Sequence, residues 1–303
     1  STKLNLDKLD LDIIHHMMEN AEISYADLGK KLFVSGGTIH VRIKKLQEAG
    51  ISFTELSNTC LTLPNASKID TILQLDKEAV IQDLSSQKTG ELLQLLKPPS
   101  SDLRPPISIW DCCAASGGKS IMAKDILGNI DLTVSDVRES IIHNLKKRFA
   151  QAGIKSYKSF IANLANTDSH KPQTGKHPIN NQGLTPDSEL PTPDSLDLII
   201  ADVPCSGSGT WSRTPEQLFY FKEEKIVEFA SLQKTILTNI VDSLKPGGHL
   251  LYITCSVFKK ENEEVVDWVK GKYQFQTVKT ELIKGYDQRA DTMFAGLLLK
   301  PTV

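Results

Sequence analysis

From residue 107 to its end, the sequence alternates short apolar runs with amphipathic stretches. The apolar runs are of strand length and predict strands at 107–113, 131–135, 156–161, 196–202, 249–254, 273–279 and 293–300. Apolar positions at helical spacing predict the intervening helices 120–126, 139–152, 223–244 and 261–270. Such alternation is typical of an α/β protein in which crossover helices link neighbouring parallel strands. We therefore predict a parallel sheet within an α/β domain over 99–303.

Two segments depart from this pattern. Residues 166–195 are rich in Asn, Pro, Thr, Asp and Ser, so they predict a mobile surface insertion that builds no core. Residues 51–98 predict a connector, with one or two strands in 53–63 broken near Asn58 and an apolar helix beginning after Asp83. We expect Asp83 or Ser85 to cap this helix. Prolines between 98 and 106 mark the linker that follows.

The first 50 residues predict a helical segment of three short helices. A turn at Gly36-Gly37 separates the last two helices, and Gly50 ends the third. This arrangement is typical of a helix-turn-helix, whose second helix offers basic side chains to phosphates or base edges: His40, Arg42, Lys44 and Lys45. The alternative is a helical appendage that never meets DNA, since 1–50 holds seven Lys and Arg against seven Asp and Glu.

Composition narrows the class of protein. With 303 residues, 40% of them hydrophobic, and a net charge of -2, the chain is expected to be globular, with any nucleic-acid binding confined to a local basic face. Its five cysteines lack Cys-x-x-Cys spacing, which favours reduced thiols and argues against a disulfide frame or a metal site. There is no apolar run of the ~20 residues that span a bilayer and no leader-like start, so we expect a cytoplasmic protein without membrane contact.

Chemistry-bearing residues follow the predicted strands. Asp202 ends the strand at 196–202, Cys205 follows that strand and Cys255 follows the next one, so both thiols should lie over the same sheet edge. Asp136 ends the strand at 131–135, where nucleoside-binding α/β folds place an acid on ribose hydroxyls. An N-cap role for Asp136, and a capping Asp202 beside an inert core thiol, are the structural alternatives. The turn 114–119 is Gly-rich, but Cys113 stands where a P-loop requires glycine.

Two resemblances are carried by these residues. The segments 6–10, 23–28 and 34–42 resemble the DNA-binding domain of the Lrp/AsnC transcription regulators. Over about 52–300, four motifs in order resemble the RsmB/Nop/Sun RNA cytosine methyltransferases: 111–119, 202–210, 245–248 and 252–256. The second resemblance implies a Rossmann-like fold, S-adenosyl-L-methionine as cofactor, and cytosine carbon 5 of RNA as target. Ribosomal RNA, 16S first, is the substrate expected from it, with transfer RNA as the alternative.

The same resemblance implies residue roles. Cys255 would be the nucleophile, Cys205 would serve product release, Asp202 would bond the cytosine edge, and Lys119 would line the pocket. Arg213 would touch an RNA phosphate or hold its loop. The cofactor would contact the turn, the two strand-end acids and one further loop residue: Cys113, Ala114, Ala115, Ser116, Gly117, Gly118, Lys119, Asp136, Asn163 and Asp202. No metal is implied.

The chain also departs from the family's pattern. Ser116 replaces the usual proline of the turn, and Asn163 stands where an acid commonly faces the adenine. The helix-turn-helix-like segment stands where an RNA-binding region is expected ahead of residue 52. A DNA-binding regulator whose methyltransferase domain is inert or only senses the cofactor is therefore the alternative function, with DNA as partner.

Overall fold

The structure is a computed structural model that describes residues 47–57, 60–64, 67–97, 105–165 and 190–302. It divides the chain into two compact units, 1–81 and 82–303, which are considered separately below. Most of the predicted helix-turn-helix segment and of the predicted insertion at 166–195 lies outside the described residues. The domain boundaries predicted near 50 and 98 stay predictions.

In the first unit, a small hairpin packs near a 3₁₀ turn. Strand β1 (Thr54–Ser57) runs antiparallel to β2 (Cys60–Thr62), so the predicted break near Asn58 separates two strands. Ile69 and Leu73 are buried, and partly buried apolar side chains, among them Phe53, pack against them. This cluster gives the described part of the first unit a small apolar core.

The described part of the second unit holds seven α-helices and seven strands. Its helices are α1 (Leu84–Lys88), α2 (Gly90–Gln94), α3 (Gly118–Leu127), α4 (Glu139–Gln151), α5 (Glu216–Tyr220), α6 (Glu224–Ile240) and α7 (Glu263–Tyr273). Its strands are β3 (Ile107–Asp111), β4 (Ile130–Asp136), β5 (Lys158–Ile161), β6 (Leu196–Asp202), β7 (Leu244–Thr254), β8 (Gln276–Ile283) and β9 (Met293–Leu299).

These seven strands form one sheet in the order β5-β4-β3-β6-β7-β9-β8. The predicted parallel sheet is confirmed for the five strands from β5 to β7. At the other edge the sequence predicted two final strands without a direction, and β9 runs antiparallel to both β7 and β8. The connection 284–292 is too short for the crossover that a parallel neighbour needs, so β9 reverses direction. The fold is a Rossmann-like α/β sheet with an antiparallel edge.

Two element boundaries differ from the sequence prediction. The sequence predicts a helix at 223–244 and a strand at 249–254, which leaves 245–248 as the connection between them. In the structure, strand β7 begins at Leu244, so 245–248 belongs to the strand. Leu244 is fully buried and pairs with Leu196, and this burial keeps it in the sheet instead of at the helix end. Helix α5 was not predicted, because its exposed residues show no apolar stripe.

The core fixes the strand ends that carry the chemistry. Trp110, Ile199 and Leu250, on β3, β6 and β7, are fully buried and pack in one cluster with apolar residues of α6 and α7. The order of the strands reverses between β3 and β6, which places the topological switch point there. The carboxyl ends of β3, β4, β6 and β7 therefore surround the crevice in which open α/β sheets bind ligands.

Candidate active site

The two cysteines predicted to converge lie side by side. Asp202 pairs with Ile253 in the parallel register of β6 and β7, and the Val203 amide continues the pairing by donating to the Ile253 carbonyl. The loops that leave both strands therefore run together. They bring Cys205 Sγ to 3.2 Å from Cys255 Sγ. This separation is a sulfur–sulfur hydrogen bond between two partly buried thiols.

This contact makes the two thiols unequal. A hydrogen bond from Cys205 lowers the pKa of Cys255, against the opposing effects of burial and of the carboxylates Asp202 and Asp291. The same contact, together with burial, raises the pKa of Cys205 well above its ordinary value. The thiolate is the nucleophilic form of cysteine. These opposite pKa shifts therefore favour Cys255 as the anion and Cys205 as the thiol that stabilises it.

Lys119 lies beside Asp202. It is in the first turn of α3, nearly buried, and its Nζ is 3.0 Å from Asp202 Oδ2 and 2.7 Å from Ser86 Oγ. Ser86 is itself held in place because the Asp83 carboxylate caps α1 by accepting from the Ser86 and Ser85 amides, which confirms the predicted capping role of Asp83. Asp202 keeps 30% of its side chain exposed. One carboxylate with a fixed cation thus faces the crevice.

The Gly-rich turn after β3 is held by its neighbours on β4. The Ala114 amide donates to the Ser135 carbonyl at 2.9 Å, and the Ala115 amide donates to Asp136 Oδ2 at 3.0 Å. Gly117 has φ +84°, and a Cβ there would stand 2.5 Å from a ring carbon of Phe149, so only glycine fits. At Ser116, the residue that replaces the family's proline, the hydroxyl accepts from Arg148 at 2.9 Å.

Asp136 faces the turn from the end of β4. Its carboxylate accepts from the Arg138 guanidinium at 2.9 and 3.1 Å. Burial opposes its ionisation, but the hydrogen bonds from Arg138 and from the Ala115 amide outweigh burial and lower its pKa. Asp136 makes no N-cap bond to α4, whose N-cap is Arg138. Asn163 is exposed and accepts from the Ala165 amide at 3.1 Å, which closes a local turn.

Arg213 lies where it can hold a loop. Its guanidinium makes two 2.7 Å bonds to the Asp291 carboxylate, and the Asp291 amide donates to Asp83 Oδ2 at 3.1 Å. Nearby, the Thr292 amide donates to the Gly209 carbonyl at 2.9 Å. Of the two roles expected for Arg213, the loop-holding contact is the one that this structure contains.

Several site residues had no role assigned to them from the sequence, although Asp111, Ser86 and Asp291 lie in stretches that resemble the family. Asp111 is fully buried below the Gly-rich turn and accepts from Ser120 Oγ at 2.6 Å. Glu261, predicted only as the start of a helix, is also fully buried, between the two cysteine loops. Ser86 and Asp291 complete the set of missed residues. A buried carboxylate can be suspected in a sequence only when its strand or loop neighbours are already known.

Other predicted residues cannot be placed. Arg42, Lys44 and Lys45 lie outside the described residues.

Within the described ranges, no group of three or more His, Cys, Asp or Glu side chains is arranged to bind a metal ion. In the same part of the chain, every helix is too short or too polar to cross a membrane.

Solved structures share this architecture. PH0851 superposes with a TM-score of 0.69 over 86% of this chain and 56% of its own, at 25% identity. A methyltransferase homologue from Pyrococcus horikoshii gives a TM-score of 0.65 over 87% of this chain and 83% of its own, at 20% identity, which shows the fold. The sheet thus has the Rossmann-like fold of these solved structures.

The sequence comparisons give the family. The family model for 16S rRNA methyltransferase RsmB/F matches residues 93–294, so the chain belongs to the RsmB/F family. Ribosomal RNA small subunit methyltransferase B of Shewanella oneidensis is 30% identical over 212 residues, which are 70% of this chain and 43% of that protein. The chain thus spans less than half the length of this relative. The model for the AsnC-type helix-turn-helix domain matches residues 6–47.

Proposed function

We propose that this protein is an S-adenosylmethionine-dependent RNA methyltransferase that modifies carbon 5 of a cytosine, with 16S ribosomal RNA as its substrate. The observation that carries the proposal is the Cys205–Cys255 pair at 3.2 Å, in which one thiol stabilises the anion of the other. Membership of the RsmB/F family supports the substrate class. Carbon 5 of cytosine is a poor nucleophile, so its methylation requires a covalent activator of the kind that a thiolate provides.

In the proposed mechanism, the Cys255 thiolate adds to carbon 6 of the cytosine. The sulfur–carbon bond forms while the electrons of the double bond between carbons 5 and 6 move to carbon 5, which becomes nucleophilic. Asp202 would accept a hydrogen bond from the exocyclic amine of the ring and, once protonated, would donate one to N3, and Lys119 would keep this side chain in place through their 3.0 Å contact. Both groups are prearranged for the charge that develops on the ring.

Release reverses the addition. A base removes the proton from carbon 5, the electrons of that bond restore the double bond, and the sulfur–carbon bond breaks to return the Cys255 thiolate. Cys205 is assigned to this step, because its sulfur lies 3.2 Å from the one that must leave. Once Cys255 is bonded to carbon, the hydrogen bond between the two sulfurs is lost. The Cys205 thiol would then lose its proton to solvent, and the resulting thiolate would accept the proton from carbon 5.

The residues of the crevice fit the cofactor by their chemistry. Bound S-adenosylmethionine would supply the methyl group. The Asp136 carboxylate suits ribose hydroxyls, since its present partner Arg138 is largely exposed and can move aside. The backbone from Cys113 to Gly118, at the N-terminus of α3, would hold the methionine end, with Lys119 and Asp202 beside it. Asn163 would lie on the adenine side, as expected from the family's pattern.

Two cysteine substitutions test the mechanism. Cys205→Ala should accumulate a covalent protein–RNA adduct, because addition proceeds and release does not. Cys255→Ala should yield neither adduct nor methylated RNA, and Cys60→Ala, in the first unit, should behave as wild type. Adducts are detected on denaturing gels with 16S ribosomal RNA, beside calorimetric titration of the cofactor. Methyl transfer by Cys255→Ala would refute the mechanism, whereas cofactor binding without RNA modification by the wild type would refute the assigned activity.

A second candidate function rests on the helix-turn-helix match over 6–47. We propose it as DNA binding by Arg42, Lys44 and Lys45, with the methyltransferase domain inert or serving as a cofactor sensor. Specific binding to duplex DNA that survives about 200 mM salt would support it, because weak phosphate contacts alone are lost as the salt rises. If Arg42→Ala and Lys44→Ala leave that binding unchanged, the helix-turn-helix does not carry it.

A further inference from the structure

One buried carboxylate in the site has no part in the proposed chemistry. Glu261 ends the 3₁₀ turn Lys259–Glu261, just before α7, and its side chain has no exposed surface. A carboxylate is rarely fully buried unless hydrogen bonds compensate for its lost hydration. The identity of its donors therefore indicates what this residue does.

All three donors come from the residues that directly follow the two cysteines. The Ser206 amide donates to Glu261 Oε1 at 2.8 Å, and Ser206 Oγ donates to Oε2 at 2.7 Å. Ser256 Oγ donates to the same Oε2. One carboxylate thus ties the loop that carries Cys205 to the loop that carries Cys255.

Neighbouring contacts fix this carboxylate and the loops around it. The Tyr252 hydroxyl donates to the Glu261 carbonyl at 2.5 Å. The Asn262 amide nitrogen Nδ2 donates to the Ser256 carbonyl at 2.8 Å, and Thr254 Oγ1 donates to Asn262 Oδ1 at 2.5 Å. Tyr252 and Thr254 lie on β7, so the turn that carries Glu261 and Asn262 is hydrogen-bonded to the sheet. We call the Glu261 carboxylate, with its three donors, the tether.

We propose that Glu261 is a positioning residue that holds the Cys205 and Cys255 loops at the separation where one thiol can hydrogen-bond to the other. The inference rests on the proposed function for its catalytic consequence, but the sulfur geometry on which it acts is independent of RNA. A hydrogen bond weakens steeply as its atoms separate or misalign. Loss of the tether should therefore release Cys255 from its donor before it unfolds the sheet.

The charged groups around Cys255 show why its pKa depends on the hydrogen bond from Cys205. The carboxylates Asp202 and Asp291 face it and disfavour its thiolate, and the Arg213 guanidinium is held by Asp291. The hydrogen bond from Cys205 is the largest influence on the other side and lowers the pKa of Cys255. Without that bond, the two carboxylates and burial should raise its pKa.

The test measures the Cys255 thiolate in the free protein. Iodoacetamide alkylation of Cys255 is followed against pH by mass spectrometry, without RNA or cofactor. In wild type we expect the alkylation midpoint below that of an ordinary thiol, about 8.5. In Glu261→Ala the midpoint should rise by at least one pH unit, and kcat for RNA should fall by at least tenfold with KM unchanged. Glu261→Gln, which keeps an oxygen for the Ser206 amide, should restore most of both.

Two further variants keep the proposal refutable. Glu264→Ala removes an exposed carboxylate from the first turn of α7 and should leave the midpoint and turnover unchanged. If Glu261→Ala does not fold, Ser256→Ala removes one arm of the tether and should raise the midpoint by a smaller amount. A folded Glu261→Ala or Ser256→Ala whose alkylation midpoint equals that of wild type overturns the inference. A raised midpoint in a protein whose wild type modifies no RNA would instead leave the tether standing and refute the proposed function.

Discussion

The buried carboxyl of Asp111 should make the stability of this protein depend on pH in an unusual direction. Asp111 ends β3 below the Gly-rich turn, has no exposed surface, and accepts one short hydrogen bond from Ser120. Its other oxygen, Oδ1, has no hydrogen-bond partner among the residues that the structure describes. Burial raises its pKa from the ordinary value of 3.8 to about 7, with Ser120 opposing the rise and the charge of Asp202 adding to it.

The direction and size of the pH effect on stability follow from the difference between the native and unfolded pKa of Asp111. The native carboxyl holds its proton up to about pH 7, whereas the unfolded one releases it near 3.8. Its stabilising contribution is therefore complete below pH 3.8 and is lost as pH rises to about 7. A full difference of this size is worth about 4 kcal/mol, and about 2.5 kcal/mol of it is lost between pH 5 and pH 8. Most buried or paired carboxylates that are ionised in the native state act in the opposite direction.

Asp111→Asn isolates this contribution, because the amide stays neutral at every pH. We expect the free energy of unfolding of the variant, minus that of wild type, to increase by about 2.5 kcal/mol from pH 5 to pH 8. Urea denaturation at several pH values, without cofactor, measures this difference. Asp131→Asn, on an exposed residue at the start of β4, is the matched control and should give a flat difference. A flat difference for Asp111→Asn would show that the native carboxyl is ionised and would refute the reasoning.

Other substitutions test the packing of the site by urea denaturation. In Gly209→Ala the new Cβ would stand 1.8 Å from the Thr292 carbonyl oxygen, so we expect a loss of roughly 1–3 kcal/mol or more. The control is Gly271→Ala, whose new Cβ meets nothing within 4 Å inside α7. Its free energy of unfolding should increase by up to about 1 kcal/mol. Equal changes in the two variants would contradict the close contact between Gly209 and the Thr292 backbone. Asp202→Asn leaves the nearly buried Lys119 without its anion. Because Asp202 is 30% exposed, we expect the free energy of unfolding to fall by roughly 1–2 kcal/mol, less than the 3–5 kcal/mol lost when a fully buried pair is broken. An unchanged urea midpoint would mean that the Lys119–Asp202 pair is solvated.

The sheet could be predicted because its signals are local. Each buried parallel strand is an apolar run bounded by turn residues, and β6 was predicted with the boundaries that the structure has. The antiparallel edge was missed, because apolar runs do not encode strand direction. The short connection 284–292 decides the direction of β9, but only once β8 and β9 are known to be neighbours.

The candidate site divides in the same way. Asp202, Cys205 and Cys255 could be grouped from the sequence, since the carboxyl ends of neighbouring parallel strands meet at one edge. Glu261 could not be added to them, because its partners Ser206 and Ser256 look like ordinary loop residues. Its role depends on a distance between two loops, and sequence spacing carries no information on such distances. Arg213 illustrates the same limit, since its partner Asp291 lies far along the chain.

The surroundings of the two thiols explain why the chain needs both. Cys255 lies between two carboxylates, Asp202 and Asp291, that disfavour its anion, yet Asp202 is the group suited to bind the cytosine edge. A neutral thiol at 3.2 Å stabilises the anion without adding charge, and it remains close to the sulfur that must later leave carbon 6. In the proposed mechanism, the second cysteine would therefore serve the first step by its hydrogen bond and the last step by its position, and both would depend on the loop geometry that we assign to Glu261.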